Sequence, residues 1–289
     1  MRNKVELAPV NSNNFLRWYP NETPTLANST FNVGLHNGYT YKWRTFNDIL
    51  PILVGDTLTF YTNFDSTSFL DGKFIKVVES DTCGSYTVIN DATKYVVSAT
   101  SWGINNAKIA LNIPVTNLTN NVDFRLAIVD GSDTISYISN NFNVRQSTVK
   151  NINNTHLISF YSKSNVYNYE WANFDETTDD FYQIRVPSSK IGISYPSEKE
   201  VYKEATTGKP RVTRAVNNKE YQFEIYYNTE ELHDAVSTVT NFRYFAVNGN
   251  QYIVTEYEVS FEKNLNIFKG NLTMKDVEFG KRINICVAP

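Results

Sequence analysis

The sequence predicts an all-β fold, mostly antiparallel, in which a β-sandwich precedes a second β-rich domain with one short helix. Two observations support this prediction. Apolar side chains alternate with polar ones along much of the chain, which is the pattern of strands that bury one face. Pairs of turn-forming residues, such as Asp71-Gly72 and Asn120-Asn121, separate these runs at short intervals. Short strands with this spacing are typical of antiparallel sandwiches.

Length and composition narrow the class of protein. The 289 residues are enough for two domains, because a domain has roughly 150 residues. The chain contains 18 Phe, 19 Tyr and 4 Trp, so we expect aromatic rings to fill much of the core and we exclude intrinsic disorder. We expect no membrane span, because the longest aliphatic run, Ile49–Val54, is short and contains Pro51. We also expect no signal peptide, because the first residues lack an apolar stretch.

Charge and cysteine content exclude further classes. The formal net charge is −3, which does not suggest a basic surface, so we expect no sequence-specific nucleic acid as a partner. Cys83 and Cys286 lie far apart in the chain and do not form a disulfide framework. Buried free thiols in a reducing cytoplasm are the simplest interpretation of these two residues.

The N-terminal segment has a composition of its own. Residues 1–45 are rich in Asn, Pro and Thr, carry isolated aromatic residues and show no sustained period. We interpret them as an extended N-terminal arm with one or two short strands. Such an arm can pack against its own domain or against a neighbouring subunit.

Residues 46–146 show the clearest alternation and are predicted to form the β-sandwich. Three runs show a period of two, with one side of each strand formed by Leu58, Phe60 and Thr62; by Ile109, Leu111 and Ile113; and by Phe124, Leu126 and Ile128. Each run predicts a strand with one side on a core. Residues 147–155 are polar and lack this pattern, and we interpret them as a linker.

Residues 156–289 are predicted to form the second β-rich domain. Period-two runs resume at Leu157–Tyr161, Tyr182–Val186, Tyr221–Ile225 and Tyr257–Phe261. The dipeptide Asn248-Gly249 lies between two apolar runs, which predicts a tight β-hairpin.

One helix is predicted within this domain, near residues 229–240. Asn228 or Thr229 can cap its N-terminus, and Glu230 and Glu231 would then lie in the first turn, where the helix dipole favours acidic residues. Apolar residues follow at the spacing of one helical face, namely Leu232, Val236 and Val239.

The sequence contains no recognisable catalytic signature. Nucleotide-binding loops and nucleophile elbows are missing, and we predict no catalytic, cofactor-binding or metal-binding residue. His36, His156 and His233 are isolated, so a shared metal site is an alternative that no spacing supports. Residues 81–84 resemble the Asp-Thr-Gly loop of aspartic proteases, but Cys83 interrupts the motif and no second copy exists. We interpret this segment as a turn.

Two further groups of residues could bind a ligand. The densest acidic cluster comprises Asp175, Glu176, Asp179 and Asp180. It lacks the glycine of a calcium-binding loop, which favours a solvated loop over a weak cation site. The four tryptophans could bind sugars, although a place in the core or at an interface is the simpler interpretation in so aromatic a chain. These residues are Trp18, Trp43, Trp102 and Trp171.

Several stretches carry a resemblance to a known group of proteins. They are Phe181–Pro187, Leu232–Val236, Tyr244–Val254 and Tyr257–Val259. Their order resembles β-rich virion proteins of tailed phages infecting Bacteroidota, crAss-like phages included. In those proteins a His-Asp helix precedes a hairpin of the type I-N-G-x-x-Y-x-V and a Tyr-Glu strand. Phe124–Gly131 and Ile138–Phe142 resemble the immunoglobulin-like modules of the same tail proteins, which implies an Ig-like β-sandwich for residues 46–146.

The resemblance implies a non-enzymatic virion structural protein, a subunit of a ring, neck or tail-hub assembly. The expected partners are copies of itself in a cyclic homo-oligomer and other neck or tail virion proteins, and no membrane. The expected location is the virion, assembled in the host bacterial cytoplasm. Two alternatives remain open. A glycan-binding module would present Trp102 or Trp171 to the host surface, and a polysaccharide hydrolase would need two carboxylates across a cleft.

Overall fold

The computed structural model describes residues 15–21, 49–63, 72–80, 86–102, 106–118, 121–161, 182–217, 219–227, 230–242, 244–263 and 267–276. In chain order its elements are β1 (Trp18–Pro20), β2 (Ile49–Leu53), β3 (Thr57–Asn63), β4 (Lys73–Ser80), β5 (Tyr86–Ile89), β6 (Val96–Trp102), β7 (Asn106–Asn112), β8 (Val122–Asp130), β9 (Ile135–Ser139), β10 (Asn141–Arg145), α1 (Val149–Asn153), β11 (Thr155–Tyr161), β12 (Tyr182–Pro187), β13 (Gly192–Ser194), β14 (Ser197–Lys203), β15 (Pro210–Asn217), β16 (Glu220–Tyr227), α2 (Glu230–Thr240), β17 (Tyr244–Val247), β18 (Asn250–Glu262) and β19 (Ile267–Asp276). The all-β prediction is confirmed.

The strands form two large sheets and one separate hairpin. A seven-stranded sheet has the order β1-β9-β8-β10-β2, with β4 also beside β8 and β5 beside β4. A ten-stranded sheet has the order β13-β16-β19-β18-β17-β11-β12-β3-β7-β6. The hairpin consists of β14 and β15. Among the pairings of the described strands, β10 with β2 is parallel and the rest are antiparallel.

The two large sheets pack face to face through aromatic rings. Within the seven-stranded sheet, Phe142 stacks on Phe124 of the neighbouring strand, with ring centroids 5.2 Å apart and an interplanar angle of 14°. Phe60 of the ten-stranded sheet contacts the Phe142 ring edge-on, with ring centroids 5.4 Å apart. Offset stacking and edge-to-face contacts are the favoured arrangements of aromatic rings. The described strands therefore form a β-sandwich with aromatic residues at its centre, and its ten-stranded sheet also includes strands that follow residue 146.

The predicted alternation is confirmed in the strands that carry it. Leu58 and Phe60 in β3 are buried, as are Ile109 and Leu111 in β7 and Ile113 just after it. In β8 residues on both faces are buried, because Leu126 belongs to the main core and Ala127 to a second hydrophobic cluster. Arg125 is buried there as well and donates from Nη1 to the carbonyl oxygen of Ser139 at 2.7 Å.

The predicted helix and hairpin are also confirmed. Helix α2 buries a face that consists of Leu232, Ala235, Val236 and Val239, and it packs against β16, β18 and β19. Asn248 and Gly249 join β17 to β18 with φ angles of 51° and 83°. Two positive φ angles at the turn centre are the signature of a type I′ hairpin. The predicted N-cap residues of α2 lie outside the described residues.

The segment interpreted as a linker, residues 147–155, contains the short helix α1, which its sequence did not predict. Thr148 caps this single turn, because its Oγ1 accepts from the backbone N–H of Asn151 at 3.3 Å. Strands from both sides of this segment lie in the ten-stranded sheet, where Gln183 of β12 pairs with Thr59 of β3. The two halves of the sequence therefore share a sheet and one hydrophobic core.

Part of the N-terminal arm belongs to the seven-stranded sheet. Strand β1 pairs with β9, and Phe15, Leu16 and Trp18 are buried in the common core. Most of the other residues of the predicted arm lie outside the described ranges.

Candidate functional site

The hairpin of β14 and β15 is the first surface that stands out; we call residues 197–217 the projecting hairpin. Its strands pair antiparallel from Ser197↔Asn217 to Lys203↔Pro210, with a bulge beside Val201. Its sheet contains no other strand among the described residues. A lone two-stranded hairpin is at best marginally stable in water, so this element would gain stability from packing against something else.

The tip of the projecting hairpin is a defined turn. Gly208 has a φ of 64°, in the left-handed region where glycine is favoured, and its backbone N–H donates to the carbonyl oxygen of Glu204 at 2.7 Å. The Thr207 hydroxyl donates to a carboxylate oxygen of Glu204 at 2.5 Å. These bonds close the turn through residues of the turn itself.

The described side chains of the projecting hairpin include exposed residues on both faces. Val201 and Val212, which pair across the strands, are each 56% exposed, and Tyr202 is 49% exposed. Exposed single apolar residues are common, but here they sit on an element with no buried face among its described side chains. This arrangement is typical of an element that is completed by a partner.

The projecting hairpin is basic. Its residues include five cations, Lys199, Lys203, Lys209, Arg211 and Arg214, and three anions, Glu198, Glu200 and Glu204, which gives a net charge of +2. Lys199, Val201 and Lys203 occupy alternate positions of β14, so their side chains leave the same face of the strand. This face therefore presents a valine between two lysines.

The second surface is the side of β16, β18 and β19 that points away from the core; we call it the outer face. Phe223, Leu272 and Met274 lie on the inner side and are buried beside α2. Their neighbours along each strand point the opposite way because side chains alternate in a strand. The outer face of β18 includes Ile253, which is 58% exposed.

The outer face is acidic. Five glutamates and two lysines lie on it, giving a net charge of −3; they are Glu220, Glu224, Glu256, Glu258, Glu262, Lys269 and Lys275. Both lysines already form ion pairs within this surface, Lys269 with Glu224 at 2.5 Å and Lys275 with Glu220 at 3.3 Å. The glutamates of β18 are exposed.

Hydrogen bonds tune the acid–base properties of one part of the outer face. Bonds from Lys269 and from the Tyr226 hydroxyl hold the pKa of Glu224 below its usual value. Burial and the bond to Glu224 raise the pKa of Tyr226 to about 12. Glu224 is therefore ionised and Tyr226 is neutral at neutral pH, so the negative charge of this surface persists there.

A polar network lies on the inner side of the same strands. His233 of α2 is buried, and its Nε2 donates to the carbonyl oxygen of Phe268 at 3.0 Å. Its Nδ1 is 2.5 Å from the Tyr257 hydroxyl, which donates to it. Burial lowers the pKa of His233 and raises that of Tyr257. The network therefore holds both side chains neutral and ties α2 to β18 and β19.

His156 forms a separate network in β11. Its Nε2 donates to the carbonyl oxygen of Ser189 at 3.0 Å, and its Nδ1 accepts from the side-chain amide of Asn248 at 3.0 Å. Burial lowers the pKa of His156. Both ring nitrogens of His156 and of His233 are occupied by protein partners, which suits the structural role that isolated histidines more often have.

Of the remaining residues singled out in the sequence, two tryptophans lie in described strands and the others lie outside the described residues. Trp18 is buried in the core, and Trp102 ends β6. His36, Trp43, Cys83, Trp171, Cys286 and the acidic cluster at 175–180 lie outside the described residues.

Within the described ranges, no group of three or more His, Cys, Asp or Glu is placed to hold a metal ion. None of the helices in that part of the chain has the length and apolar character needed to span a membrane. Sequence reasoning did not single out the projecting hairpin or the outer face. The signal for the hairpin was indirect: a turn of Gly208, Lys209 and Pro210 between two segments rich in charge and β-branched residues.

Comparison with known proteins does not identify a family for this chain. No protein-family model matches the chain, and no curated protein is significantly similar to it.

Proposed function

We propose that the chain is a non-enzymatic structural protein of a tailed-phage virion, a subunit of a ring, neck or tail-hub assembly. The observation that carries the proposal is the projecting hairpin, whose described side chains are exposed on both faces and include Val201, Tyr202 and Val212. A β-ribbon that buries none of its described side chains against its own chain is suited to binding another subunit.

Two further features support this proposal. The resemblance of the stretches around Leu232–Val236 and Tyr244–Val254 to virion proteins of Bacteroidota phages points to the same role. The body that carries the hairpin is a large two-sheet sandwich with one aromatic core, which provides a rigid base for an exposed binding element. Structural subunits work through such surfaces rather than through a reactive site.

The test is co-assembly. The chain would be expressed alone and together with the proteins encoded beside it, and the masses of the complexes would be measured by native mass spectrometry. Purified phage particles would be analysed for the chain by peptide mass spectrometry. We expect a closed oligomer or a defined complex with neighbours, and a fixed copy number per particle. A chain that is absent from particles and ignores its neighbours would contradict the proposed function.

A further inference from the structure

We propose that the projecting hairpin of one copy docks on the outer face of a second copy, so that the chain associates head to tail. The inference rests on the proposed function, and it names the contact that would build the assembly. On the hairpin, the contacting surface is the face of β14 that bears Lys199, Val201 and Lys203. On the second copy, it is the C-terminal part of β18 on the outer face, residues 258–262.

Charge complementarity is the first argument. The hairpin has a net charge of +2 and the outer face a net charge of −3. The lysines of the outer face are engaged by Glu220 and Glu224, so the excess negative charge lies on β18. Opposite surface potentials favour the encounter of two such surfaces and select their orientation.

Matching periodicity is the second argument. Lys199, Val201 and Lys203 are spaced two residues apart on one face of β14. On the outer face of β18, Glu258, Ser260 and Glu262 have the same spacing. At roughly 3.3 Å per residue the two end charges are about 13 Å apart in each triplet. Each lysine can therefore meet a glutamate while Val201 covers the small Ser260.

Apolar area and geometry complete the argument. Val201 and Val212 form an exposed cross-strand pair on the contacting face of the projecting hairpin. Burying these side chains adds a favourable term that charges alone would not supply. Because the two surfaces differ, the contact is heterologous, and repeated contacts of this kind give a closed ring or an open filament.

The experiment is a charge-reversal cycle on the full chain. One variant carries Lys199→Glu and Lys203→Glu, a second carries Glu258→Lys and Glu262→Lys, and a third carries all four changes. Self-association is measured by native mass spectrometry and by sedimentation at several protein concentrations, at low and high salt. The exposed lysine of α1 provides the matched control, Lys150→Glu.

We expect the unaltered chain to associate at low salt and to dissociate as salt rises, because exposed charges are screened. Each variant in which only one of the two surfaces is reversed should weaken association by about tenfold or more, because like charges then face each other. The fourfold variant should recover association, and Lys150→Glu should leave it unchanged. A monomeric unaltered chain at every concentration, or single reversals without effect, would overturn the docking proposal.

Hydrogen exchange gives a second, independent readout. Amides of β14 and β15 should be protected at high concentration in the unaltered chain, and they should exchange rapidly in the Glu258→Lys and Glu262→Lys variant, whose hairpin is intact. Equal protection in both would also overturn the proposal. These results are separable from the proposed function: a chain that enters particles through its neighbours but shows no hairpin–face contact would keep its structural role and lose only this inference.

Discussion

Arg185, which is buried, and Asp56, whose side chain is 10% exposed, form a bidentate ion pair that connects the two halves of the sequence. Nε of Arg185 donates to Oδ2 of Asp56 at 2.5 Å and Nη2 to Oδ1 at 2.7 Å. Asp56 Oδ2 also accepts from the backbone N–H of Leu53 at 2.8 Å, and Arg185 Nη1 donates to the Thr155 hydroxyl at 3.2 Å. The pair therefore joins the turn between β2 and β3 to β12 and to the start of β11.

Removing one partner of this ion pair should strongly reduce the free energy of unfolding. In Asp56→Ala the guanidinium stays buried without its counter-charge, so we expect the free energy of unfolding to fall by about 3–5 kcal/mol. The double variant Asp56→Ala with Arg185→Met should be less destabilised than the sum of the single variants. Urea denaturation measures each value.

The matched control for this prediction is an exposed ion pair. Lys76 and Asp133 are 2.7 Å apart, but their side chains are 30% and 40% exposed. We expect Lys76→Met to cost about 0–1 kcal/mol, because water already solvates such pairs. Equal losses for Lys76→Met and Asp56→Ala would contradict the special role of the buried pair.

Gly270 makes room for the ring of Tyr257. A Cβ at position 270 would lie 2.6 Å from Cζ and 2.7 Å from Cε2 of that ring. The ring cannot retreat easily, because its hydroxyl is bonded to His233. We expect Gly270→Ala to lower the free energy of unfolding by about 1–3 kcal/mol through overpacking, as measured by urea denaturation.

Another glycine provides the control for this substitution. A Cβ at Gly131 would have no neighbour within 4 Å, so Gly131→Ala should change stability by no more than about 0.5 kcal/mol. In a Tyr257→Ala background the cost of Gly270→Ala should shrink, because the obstructing ring is gone. An unchanged cost in that background would rule out the steric explanation.

The sequence was informative wherever one face of an element is buried. Leu58 and Phe60, and the helix face around Val236, follow the period of their element because the core requires it. Asn248-Gly249 was readable because few residues tolerate two positive φ angles in a row.

Long-range relationships could not be read from the chain. Arg185 and Asp56 look like ordinary charged residues until β12 pairs with β3, and no local pattern records that pairing. The projecting hairpin was not predicted from the sequence for a different reason. An element that buries none of its described side chains needs no alternation of apolar and polar residues, and Val201 and Val212 lie among charged residues without an apolar period.

Stability should decrease as the pH falls below neutrality. Burial lowers the pKa of His156 and of His233, whereas an unfolded histidine has a pKa of about 6.5. The unfolded state therefore takes up protons first, so the stabilisation is present above pH 6.5 and is lost as the pH falls toward the folded pKa. We expect a lower free energy of unfolding at pH 5.5 than at pH 7.5.

The slope of the free energy of unfolding against pH shows whether these two histidines cause the pH dependence. Removing one titrating group, as in His233→Gln, should reduce the slope by up to about 1.4 kcal/mol per pH unit. The variant is expected to be less stable at pH 7.5, because the bonds to Tyr257 and Phe268 are disturbed, but only the slope reports the titration. An unchanged slope in both His233→Gln and His156→Gln would contradict the prediction.

Asn248 should contribute more to stability than its place in a turn suggests. Its side-chain Oδ1 accepts from the backbone N–H of Leu157 at 3.0 Å, and the backbone N–H of Asn248 donates to the carbonyl oxygen of Leu157 at 2.8 Å. Its Nδ2 donates to His156. Asn248→Ala loses two side-chain bonds and places alanine at a φ of 51°, so we expect a loss of about 2–4 kcal/mol.

A second asparagine separates these two contributions. Asn121 has a similar φ of 57°, and its described bond is from the backbone N–H to the carbonyl oxygen of Val144, which alanine would keep. Asn121→Ala should therefore cost about 1–2 kcal/mol, the strain of the left-handed conformation alone. Asn248→Gly, which relieves the strain but not the lost bonds, should fall between the unaltered chain and Asn248→Ala. If Asn248→Ala and Asn121→Ala are equally destabilised in urea, the side-chain bonds of Asn248 to β11 add nothing to stability.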